Sequence, residues 1–103
     1  MKTEHTPGPW WTYKKPGHTN SFVGSSTHDV AEVPHAGGED TQASNARLIA
    51  SAPELLDSLR ECERVIRWAA QRSAGRVRAD IVGGWLHQAE QARAAIARAE
   101  GQK

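Results

Sequence analysis

Asn45-Ala46-Arg47-Leu48-Ile49-Ala50-Ser51-Ala52-Pro53-Glu54-Leu55-Leu56 is the stretch at which a polar, strand-like amino half gives way to a helical carboxyl half. Leu48, Ile49 and Ala52 recur at a spacing that places apolar side chains on one helical face, with Arg47 and Ser51 on the other. This predicts a short helix from about Thr41, with Asp40 or Thr41 as its cap. Pro53 has no backbone N–H and disfavours helical geometry at Ala52, yet it suits the first turn of a new helix. A break is therefore expected at Ala52, with Ser51 or Ala52 near the next cap. Glu54 then falls in the first turn, where a carboxylate at the positive end of the macrodipole contributes roughly 0.3–1 kcal/mol.

Toward the carboxyl end, Leu55, Leu59, Cys62, Ile66 and Ala69 form an apolar seam, widened by Leu56, Val65 and Trp68. Ser73-Ala74-Gly75 should end that helix, with Gly75 as a left-handed cap. Ile81, Trp85, Leu86, Ala89, Ala92, Ile96 and Ala99 then mark a final helix that should fold back as an antiparallel hairpin. Gly83-Gly84 would cost on the order of 2 kcal/mol inside a helix relative to alanine. The helix could begin only at Gly84, kink there, or use the glycines for close packing, and Gln102 and Lys103 should fray.

Toward the amino end, His5-Thr6-Pro7-Gly8-Pro9 forbids helix and reads as an extended lead-in. Trp10-Trp11-Thr12-Tyr13-Lys14-Lys15 alternates as a first strand, sending Trp10, Thr12 and Lys14 one way and Trp11, Tyr13 and Lys15 the other. Ser21-Phe22-Val23-Gly24-Ser25 is a weaker strand with a bulge or close backbone approach at Gly24, and Asp29-Val30-Ala31-Glu32-Val33 is a third. The fold class is α+β: a small antiparallel sheet of about three strands at the amino end, a short helix, and a two-helix antiparallel hairpin. With 103 residues the chain is expected to be a single domain over 1–103, with 10–33 as its sheet region and 41–100 as its helical region.

A formal net charge of +1 argues against both a strongly basic nucleic-acid binder and an acidic DNA mimic. Cys62 lies in a helical apolar pattern and is expected to be a small buried hydrophobe. Met1-Lys2-Thr3-Glu4 leads into prolines rather than an apolar run, and no stretch approaches the roughly 18 apolar residues of a membrane span. A soluble, cytoplasmic protein, with no membrane partner, is the expectation.

The five histidines match no zinc spacing, so neither metal nor cofactor is expected. Ser25, Ser26, His28 and Asp29 have the ingredients of a hydrolytic site, but a triad is defined by geometry, and no catalytic residue is assigned. Trp10, Trp11 and Tyr13 beside Lys14 and Lys15 combine aromatic faces with cations, as a stacked base and its phosphate require. Arg47 could add a guanidinium for an anion. Arg60, Arg64 and Arg67 share one side of the second helix, facing solvent, a protein partner, or their neighbours Asp57 and Glu63. Alanines dominate the last helix and bury little area each, so the hairpin should gain cover by homo-oligomerisation.

His5-Thr6-Pro7-Gly8-Pro9-Trp10, the central stretch quoted above and the ending Ala92-Arg93-Ala94-Ala95-Ile96-Ala97-Arg98-Ala99-Glu100-Gly101 together resemble a family of small bacteriophage and prophage proteins. The resemblance runs over most of the chain. It implies phage or prophage origin and carries no catalytic residues. Small motif-free phage proteins are often accessory factors, so the expected function is a non-enzymatic counter-defence inhibitor. It would capture a host cyclic-nucleotide signal, as phage sponges of broadly similar plan do, or a host defence protein in the manner of an anti-CRISPR. The alternative is a structural or regulatory self-association module with no role in host defence.

Overall fold

The computed structural model describes residues 5–35 and 37–101; the first four residues, and the carboxyl-terminal pair expected to fray, lie outside the described residues. Three strands precede three helices: β1 (Trp11–Lys14), β2 (Ser21–Gly24), β3 (Asp29–Val33), α1 (Glu39–Ala50), α2 (Ala52–Ser73) and α3 (Ala79–Ala99). This is the α+β plan expected of the sequence. The chain divides into two compact units, His5–Leu55 and residues 56–101, with the boundary in the first turns of α2.

In the first unit the strands pair antiparallel in the order β1-β2-β3. Trp11 to Lys14 face Gly24 to Ser21, and Ser21, Phe22 and Val23 face Val33, Glu32 and Ala31. β2, the weakest strand by sequence, is central and buried along its whole length. The register shifts between Val23 and Gly24, and a Cβ on Gly24 would lie 3.0 Å from the Tyr13 ring and 3.2 Å from an Asp29 carboxylate oxygen. Gly24 is thus both an irregularity and a close approach.

Alternation gives the sheet two distinct faces. On one, Val23 and Val33 meet Ala46 of α1 in the core, flanked by Trp10, Ala31, Ile49 and Ala50. On the other, Phe22 lies under the Tyr13 ring (centroids 5.7 Å), the His18 ring (5.5 Å) and the Lys15 ammonium (4.3 Å). α1 therefore supplies cover to one face, and the aromatic cluster seals Phe22 on the other.

The buried stripe of α1 corrects the sequence reading. It runs through Gln42 and Ala46 with Ile49 and Ala50 beside it, whereas Leu48 is 65% exposed. At about 100° per residue the stripe centred on Ala46 takes in Gln42, Ile49 and Ala50, whereas Leu48 lies about 160° round from Ala46 and faces solvent. Gln42 is 1% exposed and fully bonded: its amide nitrogen donates to the Thr19 and Val33 carbonyls (3.0 Å each) and its oxygen accepts from Lys14 Nζ (3.1 Å). α1 also starts earlier than expected, at Glu39. Its cap is Gly38, at φ 95°, with no side-chain cap from Asp40 or Thr41, both of which lie in the first turn.

The amino-terminal lead-in is fixed by named contacts. Trp10 Nε1 donates to the Thr6 carbonyl (3.1 Å), and the Thr6 hydroxyl bonds His28 Nε2 (2.9 Å) at the β2–β3 turn. A Cβ on Gly8 would lie 3.0 Å from Cβ of the buried Pro53. Trp10 itself lies outside β1, as does Lys15 at the other end, so the strand is shorter than expected at both ends.

In the second unit, α2 and α3 run antiparallel, held by Arg67–Glu90 (2.8 Å), Arg93–Glu63 (3.4 Å) and Arg60–Glu100. Gly75, at φ 82°, supplies the left-handed turn predicted for it. The seam of α2 that faces α3 is Leu56, Leu59, Glu63, Ile66 and the buried Ala70. Cys62 is rotated off that seam and is exposed, which overturns its reading as a buried hydrophobe. α3 begins at Ala79 and continues through Gly83 and Gly84, around which a Cβ would meet open space. They do not start the helix, and among the described residues nothing packs against them.

Gln42→Ala would leave the Thr19 and Val33 carbonyls unpaired, at about 1–3 kcal/mol for each orphaned group. Urea unfolding should show a loss of about 2–4 kcal/mol for this variant. Leu48→Ala, one helical turn and a half away on the exposed side, should stay within about 0.5 kcal/mol of the parent.

Candidate functional site

Between β1 and α1 the first unit holds an open cleft of about 340 Å³, lined by Thr12, Tyr13, Lys14, Ser21, Ala43, Ala46 and Arg47. That is within the range of small-ligand sites, roughly 300–1,000 Å³. Small side chains make the room: Ala43 and Ala46 on the helix, Ser21 and Thr12 on the sheet. Two cations border it. Lys14 Nζ donates to the neutral Gln42 amide, and Arg47 Nη2 donates to the Ser44 hydroxyl at 3.2 Å. Among the described residues, neither cation has a carboxylate partner.

The six residues proposed from sequence for one ligand site divide between surfaces. Lys14, Arg47 and part of Tyr13 border the cleft. The Tyr13 ring points to the opposite face of the sheet, against Phe22. Lys15 lies there too, paired with Asp29 at 2.7 Å. Trp11, facing Gly24 across the ladder, is 45% exposed on that same face. Trp10 packs on the core and edge-on to His5, at 6.3 Å between ring centroids. A strand sends consecutive side chains to opposite faces, so a contiguous run of aromatics and lysines cannot converge on one ligand. Ser21, Ala43 and Gln42, which shape or brace the cleft, carried no sequence signal of their own.

Arg60, Arg64 and Arg67 stand together along the hairpin, each in ion pairs. Arg60 holds Glu100 and Asp57 (3.1 Å), Arg64 holds Glu61, and Arg67 holds Glu63 (2.6 Å) and Glu90 (2.8 Å). The hydrogen bond it donates to Glu100 raises the pKa of Arg60, the one donated to Glu61 raises Arg64, and those donated to Glu90 and Glu63 raise Arg67. Reciprocally, the hydrogen bond from Arg67, and its charge after that, lower the pKa of Glu90. Arg60 and Arg67 clamp α2 to α3; Arg64, whose side chain is 69% exposed, pairs among the described residues only within its own helix.

The serine–histidine cluster is a turn. Ser25 Oγ donates to the His28 carbonyl (3.2 Å) and accepts from the Thr27 amide (3.2 Å), while the ring nitrogens of His28 bond Thr6 (2.9 Å) and Thr27 (3.1 Å). Asp29 is engaged by Lys15. No group of three metal-ligating side chains occurs among the described residues, and among them no helix is long and apolar enough to cross a membrane.

A family model described as Salmonella phage P22 protein Y8K6 matches residues 1–103, the full length of the chain. The protein belongs to that phage protein family. Neither a curated protein nor a solved structure gives a match.

Because Glu90 is more acidic in the folded chain, its bond to Arg67 contributes stability above the ordinary carboxylate value. That contribution is lost as pH falls through the lowered value. Thermal melts of the parent and Glu90→Gln should therefore differ at neutral pH, with the parent higher. The difference should close on acidification, and a gap unchanged by acid would refute the clamp.

Proposed function

We propose that this phage protein is a non-enzymatic binding protein of the bacterial host cytoplasm that counters host defence by stoichiometric capture of a nucleotide signal. The observation that carries the reading is the β1–α1 cleft, where Lys14 and Arg47 border one recess without a carboxylate partner among the described residues. Cations left unneutralised beside a recess of ligand size favour an anion, and guanidinium with ammonium suits phosphate. The cleft offers no stacked aromatic pair, since the Tyr13 ring lies on the other face. Phosphate recognition from Lys14 and Arg47, with the base resting beside Ala43, replaces the stacking mode first suggested by the sequence.

Capture of a defence protein, as an anti-CRISPR would act, is the weaker reading of the Arg60, Arg64 and Arg67 face, because intrachain carboxylates already engage all three. A second reading has an observation of its own: apolar side chains exposed along the hairpin favour a module whose purpose is self-association.

Calorimetric titration with a panel of cyclic di- and trinucleotides distinguishes these readings. The capture reading expects at least one to bind, with Lys14→Ala and Arg47→Ala each weakening it by about 10-fold or more, the scale of one charge-assisted contact. Lys15→Ala, on the opposite face, should leave the affinity unchanged. Binding that is indifferent to Lys14 and Arg47 would place the ligand elsewhere. A stable gel-filtration complex with a defence protein, lost in Arg64→Glu and without any nucleotide affinity, would favour the effector reading.

A further inference from the structure

The hairpin buries one flank and leaves another bare. Its charged flank carries Glu63, Arg67, Glu90 and Arg93 in mutual pairs, with Arg60 bonded to Glu100. Rotating away from that flank on both helices reaches Cys62, Val65 and Ala69 on α2, and Ile81, Trp85, Gln88, Ala92, Ala95 and Ala99 on α3, both at the alternating three- and four-residue spacing of a helix-pairing seam. Val65 is 47% exposed, Ile81 41% and Trp85 36%, and Trp68 at the border is 57% exposed. With each tryptophan offering up to about 250 Å², these side chains and Cys62 leave on the order of 400 Å² of apolar surface.

We infer that this flank is the surface on which a second copy of the chain docks, antiparallel, about a two-fold axis crossing α2 near Ile66 to Trp68. Three features of the flank are self-complementary under that operation. The first is size: Ile81 and Trp85 occupy the amino half of the α3 seam, and Ala92, Ala95 and Ala99 the carboxyl half, so reversal sets large side chains over small ones. The second is charge: reversal about that axis sets Glu61, which within the chain holds Arg64, opposite Arg72, which has no carboxylate partner among the described residues. The third is area. At the roughly 60% apolar share of protein interfaces, a patch of this size implies about 700 Å² per copy, within the class that forms specific complexes, about 600–1,000 Å² a side.

In that arrangement Glu61 of one copy meets Arg72 of the other. Within the chain Arg72 stacks over the Trp68 ring, at 5.2 Å, on the border of the flank. The inference concerns residues 56–101 and does not depend on nucleotide capture in the β1–α1 cleft.

Sedimentation equilibrium of the full chain, without nucleotide, tests it. A dimer is expected, and Val65→Glu and Trp85→Glu should each raise its dissociation constant about 100-fold or more while circular dichroism keeps its helical signal. Should either variant lose that signal, the charge exchange decides. Glu61→Arg alone and Arg72→Glu alone weaken the dimer, and the double variant, which restores opposite charges across the axis, recovers it. A monomer at every concentration overturns the inference. So does a dimer insensitive to Val65 and Trp85, or one that the double exchange fails to recover.

Discussion

Gln42 is the constraint on which the sheet unit depends. Its amide nitrogen ties α1 to the β1–β2 connection through Thr19 and to the end of β3 through Val33, and its oxygen takes the Lys14 ammonium. A buried amide costs free energy unless its hydrogen-bonding capacity is met, so the position of α1 on the sheet is specified by three bonds as well as by the small apolar core of Val23, Val33 and Ala46. A core with so few large side chains would tolerate sliding. Directional bonds from one side chain to two separate strand ends do not.

The same placement creates the cleft. Because Gln42 and Ala46 occupy the buried stripe, Arg47 is set one helical step around from the core, and Ala43 one turn before it leaves room above Ser21 and Thr12. The bond to Gln42 brings Lys14 toward the helix and leaves its charge uncompensated, because an amide accepts a proton without supplying a counter-charge. Fold and candidate site are thus consequences of one residue whose type gives no hydropathy signal. The amino-terminal lead-in and the central stretch are also joined here. Trp10 packs on the same core as Ile49 and Ala50, and Gly8 admits Pro53 at a distance that a side chain on Gly8 would close. Their role in this unit is packing.

What the sequence made legible was everything carried by periodicity and by backbone chemistry. The helix of α2, the break before Pro53 and the turn at Gly75 follow from patterns that local sterics enforce, but the seam lies at Leu56, Leu59, Glu63, Ile66 and Ala70, rotated from the expected Leu55, Leu59, Cys62, Ile66 and Ala69. Where two side chains competed for one face, periodicity was ambiguous: Leu48 and Ile49 are adjacent, and hydropathy alone cannot say which is buried. Gln42 and Cys62 inverted the usual relation between polarity and burial. The first is buried because three partners meet it, the second exposed because helix rotation places it off the seam. Neither fact is local. The aromatic–lysine run failed as a single site for the reverse reason, since proximity in sequence is opposed by strand alternation.

The hairpin shows how much a helix pair of this composition leaves undone. Ala70 and Ala89 are buried but contribute little area, so the charged clamps take part of the task of fixing register. Such clamps contribute little when solvated, because water competes for both partners. Tryptophan at the bare flank has the opposite balance, with large area of which 57% at Trp68 and 36% at Trp85 stays exposed. A hairpin that spends its small residues on its own seam and keeps Trp68, Trp85, Ile81 and Val65 outside it has its largest hydrophobic contribution still unrealised. Burial against a surface of matching size and complementary charge would realise it, and the flank's own reversed copy has both properties.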